Sequence, residues 1–139
     1  MSDTPRVRDW MTAEPIVIQA SKPLPEAHQL MKQRRIRRLP VVDRNGRLVG
    51  IVTRGDVREA SPSNATSLSI YEIHYLLSQL AVEAIMTRNP RTVTPDTTIK
   101  EAARLMLDHK ISGLPVVEGD QLVGIITESD IFRGLIERL

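Results

Sequence analysis

The most constraining feature of the sequence is an internal repeat. Displaced by 75 residues, the chain aligns with itself, so that Val7, Met11 and Thr12 fall on Val82, Met86 and Thr87. Three motifs recur in the same order: Val-x-x-x-Met-Thr-x-x-Pro, Ile-x-x-Leu-Pro-Val-Val and Leu-Val-Gly-Ile-(Val/Ile)-Thr-x-x-Asp. A repeat at this spacing predicts one folding pattern present twice.

Within each copy the pattern reads strand, helix, strand, strand, helix. Short extended runs are predicted at Pro15–Ile18 and Arg91–Val93, and Ala27, Leu30 and Met31 lie on one apolar helical face. Asn45-Gly46 is typical of a tight hairpin with positive φ at both residues. We therefore predict a mixed α/β (α+β) fold of two β-α-β-β-α repeats. Because neither copy looks able to bury its sheet alone, we expect them to pack together about a pseudo-twofold axis.

The repeat also predicts the domain boundaries: residues 1–58 form the first copy, residues 59–81 a connector, and residues 82–139 the second copy. In the connector, Ser61–Asn64 has the composition of a loop, and Ser69-x-x-Glu72 has the spacing of a helix cap. The helix that follows should carry one apolar face, formed by Ile70, Ile73, Leu77 and Leu80.

Composition indicates the cellular compartment of the protein and the place where its positive charge is concentrated. The chain has no cysteine, which excludes disulfides and thiolate metal sites, and no apolar run near the ~20 residues that span a bilayer. Its first residues lack the apolar core of a secretory signal. We therefore expect a cytoplasmic protein without a membrane partner. The net charge is +2, but bases concentrate in Lys32–Arg38, which is consistent with an anion site, a nucleic-acid patch or a solvated helix end.

The duplicated motifs resemble the CBS domain pair, and among such pairs the chain is similar to the stand-alone acetoin-utilisation proteins. The resemblance implies clefts between the copies that hold an adenine nucleotide (AMP, ADP or ATP) or another adenosyl ligand such as S-adenosylmethionine. It also implies a homodimer. No other cofactor is expected.

The resemblance implies a ligand-contacting role for three groups of residues. In the closing motif of each copy the Asp would accept the ribose hydroxyls and the Thr or Ser would approach phosphate: Thr53, Gly55 and Asp56, then Thr127, Ser129 and Asp130. Adenine would lie against backbone and apolar side chains of the other copy, not of the copy that supplies the aspartate: Ile16, Val17, Ile18, Ile36 and Leu39 for one cleft, and Thr92, Val93, Ile111 and Leu114 for the other. Arg37 and Arg38 would bind phosphate, whereas the second copy has Ser112-Gly113 at those positions.

Each of these residue types also has a purely structural interpretation. Thr-x-x-Asp is the spacing of a helix capping box, and Lys32, Arg34 and Arg35 would complement the dipole of a helix end. Arg37 and Arg38 fit that second interpretation less well because they should lie past the helix. The three histidines are scattered, which gives no metal site, and no nucleophile–base pair or phosphate-binding glycine loop indicates an enzyme.

The sequence therefore favours a sensor of adenine nucleotides that acts on an effector protein in trans. One alternative is a ligand-free assembly module. Another is nucleic-acid binding through Lys32–Arg38, against which the small net charge and the 3% aromatic content both argue.

Overall fold

The structure is a computed structural model that describes residues 4–61 and 67–139. Two compact units divide it. The central unit is Ile16–Asn89, and the terminal unit combines the described residues up to Pro15 with Pro90–Leu139. Of the predicted loop Ser61–Asn64, all but Ser61 lies outside the described residues, as do the first three residues of the chain.

Both copies contain helices and short strands. In chain order they are α1 (Val7–Trp10), β1 (Thr12–Ala13), β2 (Ile18–Gln19), α2 (Leu24–Arg34), β3 (Arg38–Val42), β4 (Leu48–Thr53), α3 (Arg54–Ala60), α4 (Ile70–Ser78), α5 (Val82–Ile85), β5 (Thr87–Arg88), α6 (Ile99–His109), β6 (Gly113–Glu118), β7 (Gln121–Thr127) and α7 (Glu128–Arg138). The predicted mixed fold of two repeats is confirmed.

The central unit is built on a four-stranded sheet in the order β2-β3-β4-β5. Strand β2 runs parallel to β3, whereas β3 pairs with β4, and β4 with β5, in antiparallel fashion. In the hairpin between β3 and β4, Gly46 has a φ of 80°, while Asn45 does not have a positive φ. The prediction of positive φ at both residues is therefore wrong. Instead, the Asp43 carboxylate accepts the N–H groups of Asn45 and Arg47 at 2.8 and 3.0 Å, which stabilises a longer turn.

The terminal unit contains a three-stranded antiparallel sheet in the order β1-β7-β6. The predicted extended run Arg91–Val93 contributes one parallel bridge, Val93 to Val116. The N–H of Val93 donates to the Pro115 carbonyl at 3.1 Å, and its own carbonyl accepts from Val117 at 2.9 Å. Gly119, with a φ of 62°, closes the hairpin between β6 and β7.

The opening segment of each copy packs in the unit built around the other copy. Val7, in α1, is fully buried in the core of the terminal unit, and its N–H donates to the Thr97 carbonyl at 2.7 Å. Val82 and Met86 lie in the core of the central unit, where the N–H of Val82 donates to the Lys22 carbonyl at 2.8 Å. Sequence alignment of the copies gave no sign of this exchange, because both segments carry the same motif.

Polar caps fix the ends of several helices, among them the predicted cap at Ser69. Thr98 accepts from the N–H of Glu101 at the start of α6, and Ser69 accepts from Glu72 at the start of α4. Residues with left-handed backbone, Arg35 and Lys110, end α2 and α6. These caps place the strands that follow each helix.

The predicted apolar face of the connector helix α4 is buried only in part. Leu77 and, two residues past the helix, Leu80 pack against the core of the central unit, and Ile73 is half-buried. Ile70 is 76% exposed and lies outside the buried part of this face. It is the first residue of the helix, where the chain has only begun to approach the core. Among the described residues, no helix has the length and apolar character needed to cross a lipid bilayer.

Candidate functional site

The structure brings the residues predicted from the first copy to one end of the central sheet. Arg38 pairs with Thr53 across β3 and β4, and the N–H of Arg54 donates to the Arg37 carbonyl at 2.9 Å. Because β2 runs parallel to β3, with Ile18 opposite Val41, the residues before Ile18 lie toward the same end of the sheet. One end of the central sheet therefore holds Ile16 and Val17 together with Thr53, Asp56, Arg37 and Arg38.

Thr53 and Asp56 form the predicted capping box of α3. The Thr53 hydroxyl accepts the N–H of Asp56 at 3.1 Å, and Oδ2 of Asp56 accepts the N–H of Thr53 at 2.8 Å. Asp56 is half-buried. Its other oxygen, Oδ1, accepts no hydrogen bond from any described residue. Capping thus occupies one carboxylate oxygen and leaves the other available.

Two arginines precede or open the strand that pairs with the Thr53 end of β4. Arg37 lies after the end of α2 and is exposed, and Arg38 is half-buried at the start of β3. Both lie past the helix, as predicted, so the helix dipole does not account for them. Arg54 opens α3 and is exposed, and Gly55 follows it in the first turn.

The apolar residues predicted to contact adenine divide between core and surface. Ile18 and Leu39 belong to the buried core of the central unit. Ile16 and Ile36 are half-buried, and Val17 is 37% exposed. Only the second group has surface available for a ligand, so Ile16, Val17 and Ile36 are the better candidates.

The terminal unit repeats the same arrangement without the cations. Gly113 pairs with Thr127, and the N–H of Glu128 donates to the Ser112 carbonyl at 3.1 Å, as Arg54 does to Arg37. Thr92 and Ser129 are exposed, and Ile111 is half-buried, whereas Val93 and Leu114 belong to the core. Where the central unit has Arg37, Arg38 and Arg54, this unit has Ser112, Gly113 and Glu128.

Among the described residues, the Asp130 carboxylate accepts more hydrogen bonds than that of Asp56. Oδ2 accepts from the N–H and the hydroxyl of Thr127 at 2.9 and 3.2 Å. Oδ1 accepts from the Thr12 hydroxyl at 3.3 Å and from Nη1 of Arg133 at 3.2 Å. The side chain is 6% exposed, and that of Arg133 is 67% exposed. The carboxylate therefore ties β1 and α7 to the end of β7.

Sequence reasoning missed Thr12 and Arg133 as partners of a predicted site residue. Thr12 belongs to the recurring Met-Thr motif, but its contact with Asp130 depends on the exchange of opening segments. Arg133 lies three residues after Asp130, one helical turn away, and that spacing is the signal that could have identified it.

Two surface grooves of the central unit lie apart from Thr53 and Asp56. A groove of about 500 Å³ follows β2 and α2 and includes Val17, Ile18 and Lys22. One of about 610 Å³ between α2 and α4 is lined by residues that include His28, Lys32 and His74. Within residues 4–61 and 67–139, no three His, Cys, Asp or Glu residues are placed to hold a metal ion.

Comparison with known proteins identifies the class to which this fold and site belong. The family model of the CBS domain matches residues 7–63 and 82–137. The chain therefore belongs to the CBS domain family, as a pair of these domains.

Solved structures of such pairs match nearly the whole chain. An acetoin utilization protein (AcuB) from Vibrio cholerae has a TM-score of 0.81 and 35% identity, covering 96% of this chain and 92% of that one. CBSX2 of Arabidopsis thaliana, in complex with AMP, has a TM-score of 0.80 and 30% identity over 96 and 97% of the two chains. The CBS pair of MJ0100, with 5′-methylthioadenosine and S-adenosyl-L-methionine, has a TM-score of 0.80 and 31% identity over 98 and 99%.

The same module occurs within larger proteins. The chain is 34 to 38% identical over 128 residues to three enzymes, among them L-aspartate semialdehyde sulfurtransferase of Methanocaldococcus jannaschii. It spans 22 to 24% of the length of those enzymes.

Proposed function

We propose that this chain is a regulatory CBS module that binds an adenosyl ligand at the sheet end occupied by Asp56, Arg37 and Arg38. In this proposal Asp56 accepts the ribose hydroxyls, Thr53 and Gly55 lie beside the phosphate, and the two arginines neutralise it. Ile16, Val17 and Ile36 contact the adenine ring. The binding of AMP by CBSX2 and of two adenosyl compounds by the MJ0100 pair supports the ligand class.

One observation carries this proposal: Asp56 has an oxygen available at the same sheet end as two arginines. A carboxylate that is half-buried and hydrogen-bonded through one oxygen is held in a fixed orientation by its own helix cap. Hydrogen bonds from ribose hydroxyls to an ionised acceptor contribute about 1.5–3 kcal/mol each where water is limited. Cations and a carboxylate at one sheet end suit a ligand that carries both a diol and an anionic group.

The cations favour a phosphate-bearing ligand. Arginine binds phosphate with paired N–H donors, and the sequence supplies Arg37 directly before β3 and Arg38 as its first residue. AMP, ADP and ATP carry the phosphate that these arginines would bind, whereas 5′-methylthioadenosine and S-adenosylmethionine carry none. We therefore propose that nucleotides bind more tightly than S-adenosylmethionine at the central unit.

Thermal unfolding of the full chain tests the proposal. AMP, ADP, ATP and S-adenosylmethionine would each be added at a hundredfold excess over Kd, with GTP as the control base. A ligand at that excess stabilises the native state by about 2.7 kcal/mol, which is a readily measured rise in Tm. The absence of a shift with every adenosyl compound would overturn the proposed function.

Substitutions at the site separate binding from folding. Asp56→Asn keeps the size of the side chain and should abolish the ligand-induced shift. Arg44→Gln is the matched control, because Arg44 is an exposed arginine in the hairpin turn and away from Thr53. It should leave the shift intact. Equal shifts in wild type and Asp56→Asn would place the ligand elsewhere.

We further propose that the module forms a homodimer in the cytoplasm and passes its ligand state to an effector protein in trans. Exposed apolar side chains on α7 support self-association: Phe132 is 60% exposed, Ile136 70% and Leu135 45%. Exposed groups of this kind commonly mark protein interfaces. Light scattering should give twice the monomer mass of 15.6 kDa, and Phe132→Ser with Ile136→Ser should return the monomer. Leu107→Ser, an exposed apolar residue on α6, is the control.

A further inference from the structure

The two aspartates of the recurring motif differ in how many of their acceptor positions are occupied. An ionised carboxylate has about four lone-pair positions for hydrogen bonds. In Asp130 four donors are present: the N–H and hydroxyl of Thr127 on Oδ2, and the Thr12 hydroxyl and Arg133 guanidinium on Oδ1. Asp56 accepts a single hydrogen bond from the described residues, from the N–H of Thr53.

The difference arises at two positions that correspond between the copies. Three residues after the aspartate, α7 has Arg133, whereas α3 has Glu59, a carboxylate that cannot donate. Thr12 lies opposite Ile125, and Thr87 lies opposite Ile51 in the same register. Among the described residues, however, only Thr12 donates to the neighbouring aspartate. The Arg133 guanidinium and the Thr12 hydroxyl therefore occupy the acceptor positions on Oδ1 of Asp130.

A vicinal diol needs two free acceptor positions. No residue within 4–61 or 67–139 occupies the two positions on Oδ1 of Asp56, and its side chain is half-buried. Asp130 offers none unless Thr12 and Arg133 move away, and it is 6% exposed. Removing both of those donors would free the two positions of Oδ1, as many as the diol requires.

We infer that Thr12 and Arg133 close the Asp130 carboxylate to ribose, so that the chain binds one adenosyl ligand with high affinity, at Asp56. Asp130 then acts as a structural tie. This inference rests on the proposed function, and it makes Thr12 and Arg133 the residues that determine which copy binds. Competition from two existing hydrogen bonds should weaken a ligand at Asp130 by about tenfold or more.

Isothermal titration of the full chain with AMP tests the inference. Wild type should bind one AMP per chain, and Asp56→Asn should remove that binding event. Thr12→Val combined with Arg133→Ala should add a second event, at least about tenfold tighter than any binding that Asp56→Asn retains. Both side chains are exposed and the two hydrogen bonds from Thr127 to Asp130 remain, so the double variant should fold with reduced stability, which circular dichroism would verify.

The matched control is Thr87→Val combined with Glu59→Ala, the same two positions in the other copy. It should keep one AMP per chain. Two events of equal affinity in wild type, or an unchanged stoichiometry in the Thr12→Val, Arg133→Ala variant, would overturn the inference and leave the proposed function standing. If no variant binds any adenosyl compound, the proposed function is wrong and the inference with it.

Discussion

The sulfur of Met11 lies directly over Gly124. A Cβ carbon at residue 124 would stand 2.8 Å from that sulfur and 2.9 Å from the Thr12 carbonyl oxygen. The other copy repeats the relationship, since a Cβ at Gly50 would stand 2.5 Å from the sulfur of Met86. The recurring Met-Thr and Gly-Ile motifs are therefore complementary surfaces: the methionine and the strand backbone need a residue without a side chain between them.

The first prediction concerns this contact. Gly124→Ala should lower the free energy of unfolding by about 1–3 kcal/mol, because the added methyl group overlaps both a side chain and a backbone oxygen. Chemical denaturation would measure the change. Gly55→Ala is the control: its Cβ would meet Thr53 Oγ1 at 3.5 Å, an ordinary contact, and alanine is favoured over glycine in a helix. That variant should be as stable as wild type or more so, and equal losses in both would contradict the explanation.

The exchange of opening segments gives the second prediction. Val7→Ala and Val82→Ala remove equivalent side chains, each fully buried, and each should cost about 2 kcal/mol. Hydrogen exchange would show where protection is lost. Val7→Ala should weaken protection in α6 and β7 of the terminal unit, and Val82→Ala in α2 and β4 of the central unit. Loss of protection within the segment's own sequence copy instead would show that no exchange takes place.

Trp10 provides a third prediction, through its contact with α7. A Cβ at Gly134 would overlap the indole ring. Gly134→Ala should therefore displace Trp10 and destabilise the terminal unit by about 1–3 kcal/mol. Trp10 is the single tryptophan of the chain, so the fluorescence maximum reports on the environment of its indole ring without a contribution from another tryptophan. Ser129→Ala, an exposed change on the same helix, should leave the emission spectrum unchanged.

The helix cap of α3 gives a fourth prediction that does not depend on any ligand. Thr53→Ala removes the oxygen that accepts the N–H of Asp56 and should cost about 0.5–2 kcal/mol. Thr53→Ser keeps that oxygen and should retain most of the stability. Thermal unfolding of the two variants would distinguish them, and identical Tm values would show that the hydroxyl contributes nothing to the cap.

Much of the fold could be predicted from the sequence because its signals are local. The capping residues Thr53, Ser69 and Thr98 act on the residue three positions later, and the hairpin glycines act at their own backbone. The exposure of Ile70 could not be predicted in this way. A helical face shows which residues align, but the point at which a helix reaches the core is set by tertiary packing.

The residue types of the candidate site could be predicted from the sequence. The number of hydrogen bonds that each aspartate accepts could not. Thr53–Asp56 and Thr127–Asp130 share the Thr-x-x-Asp pattern, and both form the predicted cap. The difference between them depends on Thr12, which is 118 residues from Asp130 along the chain. No local pattern encodes a contact of that separation, because it exists only once the opening segment has joined the other copy.

The terminal unit is built from two separate stretches of the chain, and this has a consequence for biosynthesis. The central unit is one uninterrupted stretch, so all of its residues have left the ribosome before α7 is made. Val7 and Trp10, although translated before the central unit, have no partners until α6 and α7 emerge. During translation this segment therefore waits for its partners while the central unit is completed, and its apolar side chains are exposed to chaperones in that interval.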